Sequence, residues 1–310
     1  MAPRLNITIG TRGSRLALRQ TALIVASLHA QDPEAQIEIK QIKTQGDRDQ
    51  HASLMKIGGQ GVFVKELEAA ILAGDVDVAV HSLKDVPAEI ASGLTLAAFP
   101  ERADPRDALV SADGKTLAEL PAGARIGTGS RRRAVQLLAL RSDIEPVDIR
   151  GNVDTRIRKV DEGEYHAAVL AQAGLERLGV AERASQVFDA EELLPAVGQG
   201  ALVVEARAGD AAVLDLLESI SHTATRLACE TERAFMARLG GGCQLPFGAY
   251  AEIEGDSLRL RGFVADDEGR RLLRGELRMP VKEAGSAGKQ LAERLLKEGA
   301  AEFMEAAGVS

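Results

Sequence analysis

The feature that most constrains this chain is that it repeats itself. "IGTRGSR" at Ile9–Arg15 returns as "IGTGSRR" at Ile126–Arg132, and "GDVDVAV" from Gly74 returns as "GEYHAAV" from Gly163. A short apolar run that passes through Gly, Thr and Ser into a helical pattern is the strand-to-helix corner of a parallel α/β sheet. Two such corners in the same order predict two similar α/β domains. At 310 residues there is room for two or three cores.

Along the first half, "RLNITIG" predicts a strand, "SRLALRQTALIVASLHA" a helix and "AQIEIKQIKT" an alternating strand. Gln45–Gly61 is a long polar loop, and loops of that length inside compact domains usually carry function or move. "VFVKELEAAILAG" puts Phe63, Leu67, Ala70 and Ile71 on one helical face, and "DVDVAVHS" is a buried-type strand that "LKDVP" leaves. In the second half "ARIGTGS", "EPVDIRGN" and "YHAAVLA" predict strands, and "RRRAVQLLALR", "VDTRIRKVDEG" and "QAGLERLGV" helices. Leu194–Arg207 holds one more strand, able to return to the first domain. A helix near Ser221 then stops at Gly240, followed by hairpins turning at Gly255-Asp256 and Glu268-Gly269 and by a helical tail. The expected domains are 1–100 with 200–218, 105–194, and a small α+β domain over 221–310.

An apolar share of 45% fills such cores, and no apolar run reaches bilayer length. The N-terminus has no signal-peptide pattern, which predicts a cytoplasmic protein. Cys229 and Cys243 make neither a zinc signature nor a disulfide framework, so no metal is expected and both are expected as reduced thiols. The net charge of −8 and an aromatic share of 3% argue against a nucleic-acid partner.

Against that acidic balance, local arginine clusters stand out. Arg12, Ser14 and Arg15 lie at the first corner, Thr128, Ser130, Arg131, Arg132 and Arg133 at the second, and Arg150, Asn152 and Arg156 form a third set. Helix N-termini favour anions, and guanidinium forks capture carboxylates or phosphates in pairs. A single arginine is more often a solvated surface residue; three sets on two domains predict a ligand with several negative charges. Neither a phosphate-binding nor a dinucleotide-binding glycine motif is present, so scattered carboxylates fit better than a nucleotide. Lys84 and Asp85 follow a buried strand, where a carboxylate can hold a developing cation or form a turn before Pro87. His81 reads equally as a hydrogen-bonded core histidine. Cys243 follows three glycines, which favours exposure over the usual buried cysteine, whereas Cys229 lies inside a helix.

In order and spacing, "HSLKDVP", "GTGSRRR", "RGNVDTR", "LPAVGQGAL" and "GGCQLPFG" closely resemble the porphobilinogen deaminase (hydroxymethylbilane synthase) family. The resemblance implies two domains like those of type II periplasmic binding proteins plus a small α+β domain, and a monomer. It implies a transferase that joins four porphobilinogen molecules with loss of ammonia onto a dipyrromethane tethered covalently to Cys243, then releases hydroxymethylbilane. Asp85 would be the catalytic carboxylate. Ser14, Lys84, Thr128, Ser130, Arg132, Arg133 and Gln199 would bind the cofactor. Arg12, Arg15, Arg150, Asn152, Arg156 and Lys56 would bind substrate, and Gln45–Gly61 would be the mobile lid. Two positions depart from the common family pattern: Gln60 replaces a lysine, and Gly129 with Arg131 replace Ser and Leu. The rival classes are a non-enzymatic two-domain anion-binding module, which leaves Cys243 unexplained, and a cysteine-nucleophile hydrolase, which lacks a visible base.

Overall fold

The computed structural model describes residues 6–44, 64–240, 246–266 and 268–306. The loop Gln45–Gly61, with Lys56 and Gln60, lies outside them, as do Phe63 and Cys243. The strands are β1 (Asn6–Thr11), β2 (Gln36–Gln41), β3 (Val78–Ser82), β4 (Leu94–Ala98), β5 (Asp107–Ser111), β6 (Arg125–Gly127) and β7 (Glu145–Val147). They continue with β8 (Ala167–Ala171), β9 (Gln186–Val187), β10 (Leu202–Arg207), β11 (Phe247–Glu254), β12 (Ser257–Ala265) and β13 (Leu272–Pro280). Contacts divide the chain into two units, 1–103 with 201–226, and 104–200 with 227–310.

The first unit holds a five-stranded sheet in the order β2-β1-β3-β10-β4. β1 is parallel to β2 and β3, and β10 runs antiparallel to both its neighbours. Successive residues of a strand face opposite sides. Accordingly Val78 and Val80 pack with Ile24 and Leu28 of the helix Arg15–Gln31, while Ala79 packs with Leu67 and Ile71 of the helix Lys65–Leu72. A sheet covered on both faces needs near-continuous apolar strands, and β3 is one. β2 forms as expected, but at the sheet edge, where Ile39 stays 45% exposed and the alternation buries little.

The second unit repeats that plan. Its larger sheet has the order β7-β6-β8-β5-β9, again with one antiparallel strand, β5, beside β8. The internal echo is thereby borne out in three dimensions. Gly74 (φ 77°) and Gly163 (φ 78°) occupy the same left-handed turn ahead of β3 and β8, a conformation that a Cβ disfavours. The strands absent from the sequence reading are β4, β5 and β9; every residue of β5 is buried.

The remaining sheet, β11-β12-β13, is wholly antiparallel, and the β11–β12 turn falls at Gly255-Asp256 as expected. The helices Thr223–Arg238 and Ala284–Leu295 approach so closely that a Cβ at Gly288 would lie 2.1 Å from the Thr231 carbonyl oxygen. Cys229 is fully buried in the first of these helices, in keeping with a packing role. Two similar α/β sheets plus a small antiparallel sheet make the expected fold class. Among the described residues no helix is long and apolar enough to cross a membrane.

Candidate functional site

In the first unit the site forms where β1 and β3 end. After Thr11 the chain turns through Arg12 and Gly13, and Ser14 caps the helix Arg15–Gln31 by accepting the Ala17 N–H at 3.2 Å. Such a cap satisfies one backbone donor and leaves others at the positive end of the helix. β3 ends at Ser82, whose hydroxyl accepts a hydrogen bond from Gln20 Nε2 at 2.8 Å, and a single turn of 3-10 helix, Leu83–Asp85, follows. Arg12, Ser14, Gln20, His81, Ser82 and Asp85 thereby line one pocket. Arg15 is exposed, and neither it nor Lys84 is in that lining. Gln20 was missed because a glutamine inside an amphipathic helix carries no motif.

Behind the pocket wall, His81 Nε2 lies 3.1 Å from Glu205 Oε2 on β10. Both side chains are buried, and Glu205 Oε1 has no hydrogen-bond partner among the described residues. His81 thus pairs with a carboxylate and also contributes to the pocket.

In the second unit, Ser130 caps the helix Arg131–Leu140 by accepting the Arg133 N–H at 3.5 Å, and the Thr128 hydroxyl accepts the Ser130 N–H. Here the arginines turn inward. Asp107, fully buried at the head of β5, accepts Arg132 Nη2 at 2.6 Å on one oxygen. Its other oxygen accepts Arg133 Nη2 at 2.7 Å, Arg133 Nε at 3.0 Å and Gln199 Nε2 at 2.9 Å. Burial alone would raise the Asp107 pKa, but the two guanidinium charges and their hydrogen bonds outweigh it and hold the carboxyl at about 2. Burial acts the other way on Arg132, pushing its guanidinium below the ordinary value despite the attraction of Asp107. Two arginines share one carboxylate, so this buried cluster retains one positive charge. Arg132 Nε, also buried, has no acceptor among the described residues.

The structure therefore joins the neighbouring Arg132 and Arg133 to Gln199, distant in sequence, through Asp107, which the sequence reading did not single out. Two further groups were missed. Arg177 donates to the Gly200 carbonyl at 2.5 Å, and burial lowers its pKa to about 10. Glu232 accepts the Gly198 and Ala251 N–H groups at 2.7 and 2.9 Å, tying the "VGQG" loop to β11.

The third set is more open. Asn152 begins the helix Val153–Asp161 without a side-chain cap bond and is exposed. Arg150 Nε donates to Asp148 at 2.9 Å, and Arg156 Nε donates to the Gly151 carbonyl at 2.8 Å. Arg131 is half-buried at the helix start. At Gly129 a Cβ would come within 3.0 Å of Asp148 Oδ1, so a serine here would crowd the carboxylate that holds Arg150.

The family model described as porphobilinogen deaminase, dipyromethane cofactor binding domain, matches residues 7–215, and that of the porphobilinogen deaminase C-terminal domain matches residues 226–297. A porphobilinogen deaminase from Roseiflexus sp. (strain RS-1) is 50% identical over 293 residues, covering 94% of this chain and 96% of its own. One from Syntrophus aciditrophicus (strain SB) is 50% identical over 297 residues, covering 96% and 97%. Among solved structures, the methionine-binding protein MetQ is similar with a TM-score of 0.45 and 13% identity, over 69% of this chain and 89% of that one.

Proposed function

The chain belongs to the porphobilinogen deaminase family, and from that premise we propose how its residues divide the work. The enzyme is a transferase of tetrapyrrole biosynthesis: it condenses four porphobilinogen molecules head to tail with loss of ammonia and releases hydroxymethylbilane by hydrolysis. A bound dipyrromethane supplies the primer from which that chain grows. This membership disfavours the binding-module alternative.

Cys243 is the covalent attachment point. Asp85 is the catalytic carboxylate: it accepts hydrogen bonds from pyrrole N–H groups and stabilises positive charge as ammonia leaves the substrate. Each pyrrole brings an acetate and a propionate, and the arginine sets answer that charge. Arg12, Arg15, Arg150, Asn152, Arg156 and Lys56 take substrate carboxylates. Ser14, Lys84, Thr128, Ser130, Arg132, Arg133 and Gln199 hold the cofactor. The protein acts as a monomer in the cytoplasm on porphobilinogen, without nucleic-acid or membrane partners.

The observation that carries this assignment is the buried Arg132–Asp107–Arg133 cluster, which among the described residues holds one positive charge in excess and an Arg132 Nε without an acceptor. A buried cation in excess calls for an anion, and a dipyrromethane bearing acetates and propionates suits it. The test is the intact mass of the purified chain and of Cys243→Ser. The wild type should carry two porphobilinogen units less their ammonia, and the variant none. A wild-type chain still unmodified after incubation with porphobilinogen would overturn the assignment of Cys243.

A further inference from the structure

We propose that Asp107 is a positioning residue for cofactor recognition: it holds Arg132, Arg133 and Gln199 so that the Arg132 Nε–H is kept for a carboxylate of the dipyrromethane. This inference rests on the cofactor reading above. It adds a residue that contacts no ligand and acts through two that do.

The bonding around Asp107 carries the argument. The carboxylate accepts four hydrogen bonds, from Arg132 Nη2, Arg133 Nε, Arg133 Nη2 and Gln199 Nε2. Three of these fall on Oδ1; Arg132 reaches the carboxylate through Nη2 alone, on Oδ2, which leaves its Nε without a bond to Asp107. Arg133 is committed along its whole fork, because its Nη1 donates to the Val169 carbonyl at 2.8 Å. Arg132 is committed at both ends, with Nη1 on the Leu194 carbonyl at 2.5 Å and Nη2 on Asp107. Its Nε is the guanidinium nitrogen left over, on a side chain only 6% exposed. A buried charged donor without an acceptor among the described residues is costly. A ligand carboxylate would supply the missing acceptor and also balance the two-to-one charge ratio.

Asp107 is well placed to fix this geometry. It pairs with Ala171 on β8, so the backbone beneath it is locked in the sheet. Replacing it would free both forks and leave two unbalanced guanidiniums in a dry site. Partners that orient ligating groups in this way are typically worth roughly ten- to a hundredfold in binding when lost.

The test follows cofactor loading rather than turnover. Wild type and Asp107→Asn are each incubated with porphobilinogen, and the loaded fraction is read by intact mass. A folded Asp107→Asn chain should load about ten- to a hundredfold more slowly; one that keeps wild-type circular dichroism and loads at the wild-type rate overturns the proposal. If Asp107→Asn does not fold, arginine-¹⁵N spectra of loaded wild type and of Cys243→Ser decide. The Arg132 Nε–H signal should move on loading. An unchanged Arg132 signal overturns the proposal. A wild type that takes up no pyrroles fails the cofactor reading itself, a distinguishable result.

Discussion

The two five-stranded sheets share a strand order, and each threads one antiparallel strand, β10 or β5, between parallel neighbours. Each of these strands also buries one acid, Glu205 or Asp107, with no exposed surface. The acids are used differently. Glu205 faces one histidine on the next strand and keeps an oxygen without a partner. Asp107 serves two arginines and a glutamine through both of its oxygens. One repeated fold thus yields one site whose acid, Asp85, lines a pocket, and another whose acid organises cations.

That contrast can be broken first at the buried acids. Removing one partner of a buried, hydrogen-bonded ion cluster costs about 3–5 kcal/mol, so Asp107→Ala should lose about that much in urea unfolding of the Cys243→Ser background. Glu205→Gln removes one pairing from a single histidine and should cost about 1–3 kcal/mol. Equal losses would mean that the two acids do the same structural work.

Asp85 sharpens the comparison from the side of activity. Asp85→Asn should reduce turnover by about 10²–10³-fold. Asp85 is only partly buried, so the unfolding midpoint should stay near that of the wild type. A large stability loss would move Asp85 into the class of Asp107.

Acid titration gives a smaller effect. The folded-state pKa of Asp107 is depressed from 3.8 to about 2, so its contribution is complete above pH 3.8 and is lost as the pH falls through about 2. The shift corresponds to roughly 2 kcal/mol. Asp107→Asn should flatten the pH dependence of stability in that window, as read by urea melts at fixed pH values. Smallest are the paired caps. Ser14→Ala should cost about 1 kcal/mol, and Ser130→Ala less, because its bond is 3.5 Å against 3.2 Å.

The sequence made the repeated corners legible because each combines an apolar run, a glycine and a serine cap within seven residues. β4, β5 and β9 escaped because "LTLAA", "DALVS" and "QV" are short and lack alternation. Asp107 escaped for a related reason. In "ADPRDA" it looks like one more turn residue, and only the fold sets it against arginines some 25 positions later. The arginine sets were visible as clusters, but their inward or outward direction depends on which carboxylates the fold supplies. Cys243 and Lys56 remain assigned through family resemblance.

The position of β10 has a consequence for synthesis. In the first sheet β4 pairs with β10 alone, and β10 begins at Leu202 while β4 ends at Ala98. A growing chain therefore holds β1, β2 and β3 with one flank bare while roughly a hundred further residues are added, about 5–20 seconds at ordinary translation rates. All strands of the second large sheet have been made by Val187, before the first sheet receives its missing strand. Of the two large sheets, the one begun first is finished last, and its unpaired β3 edge is the surface a nascent-chain chaperone would find.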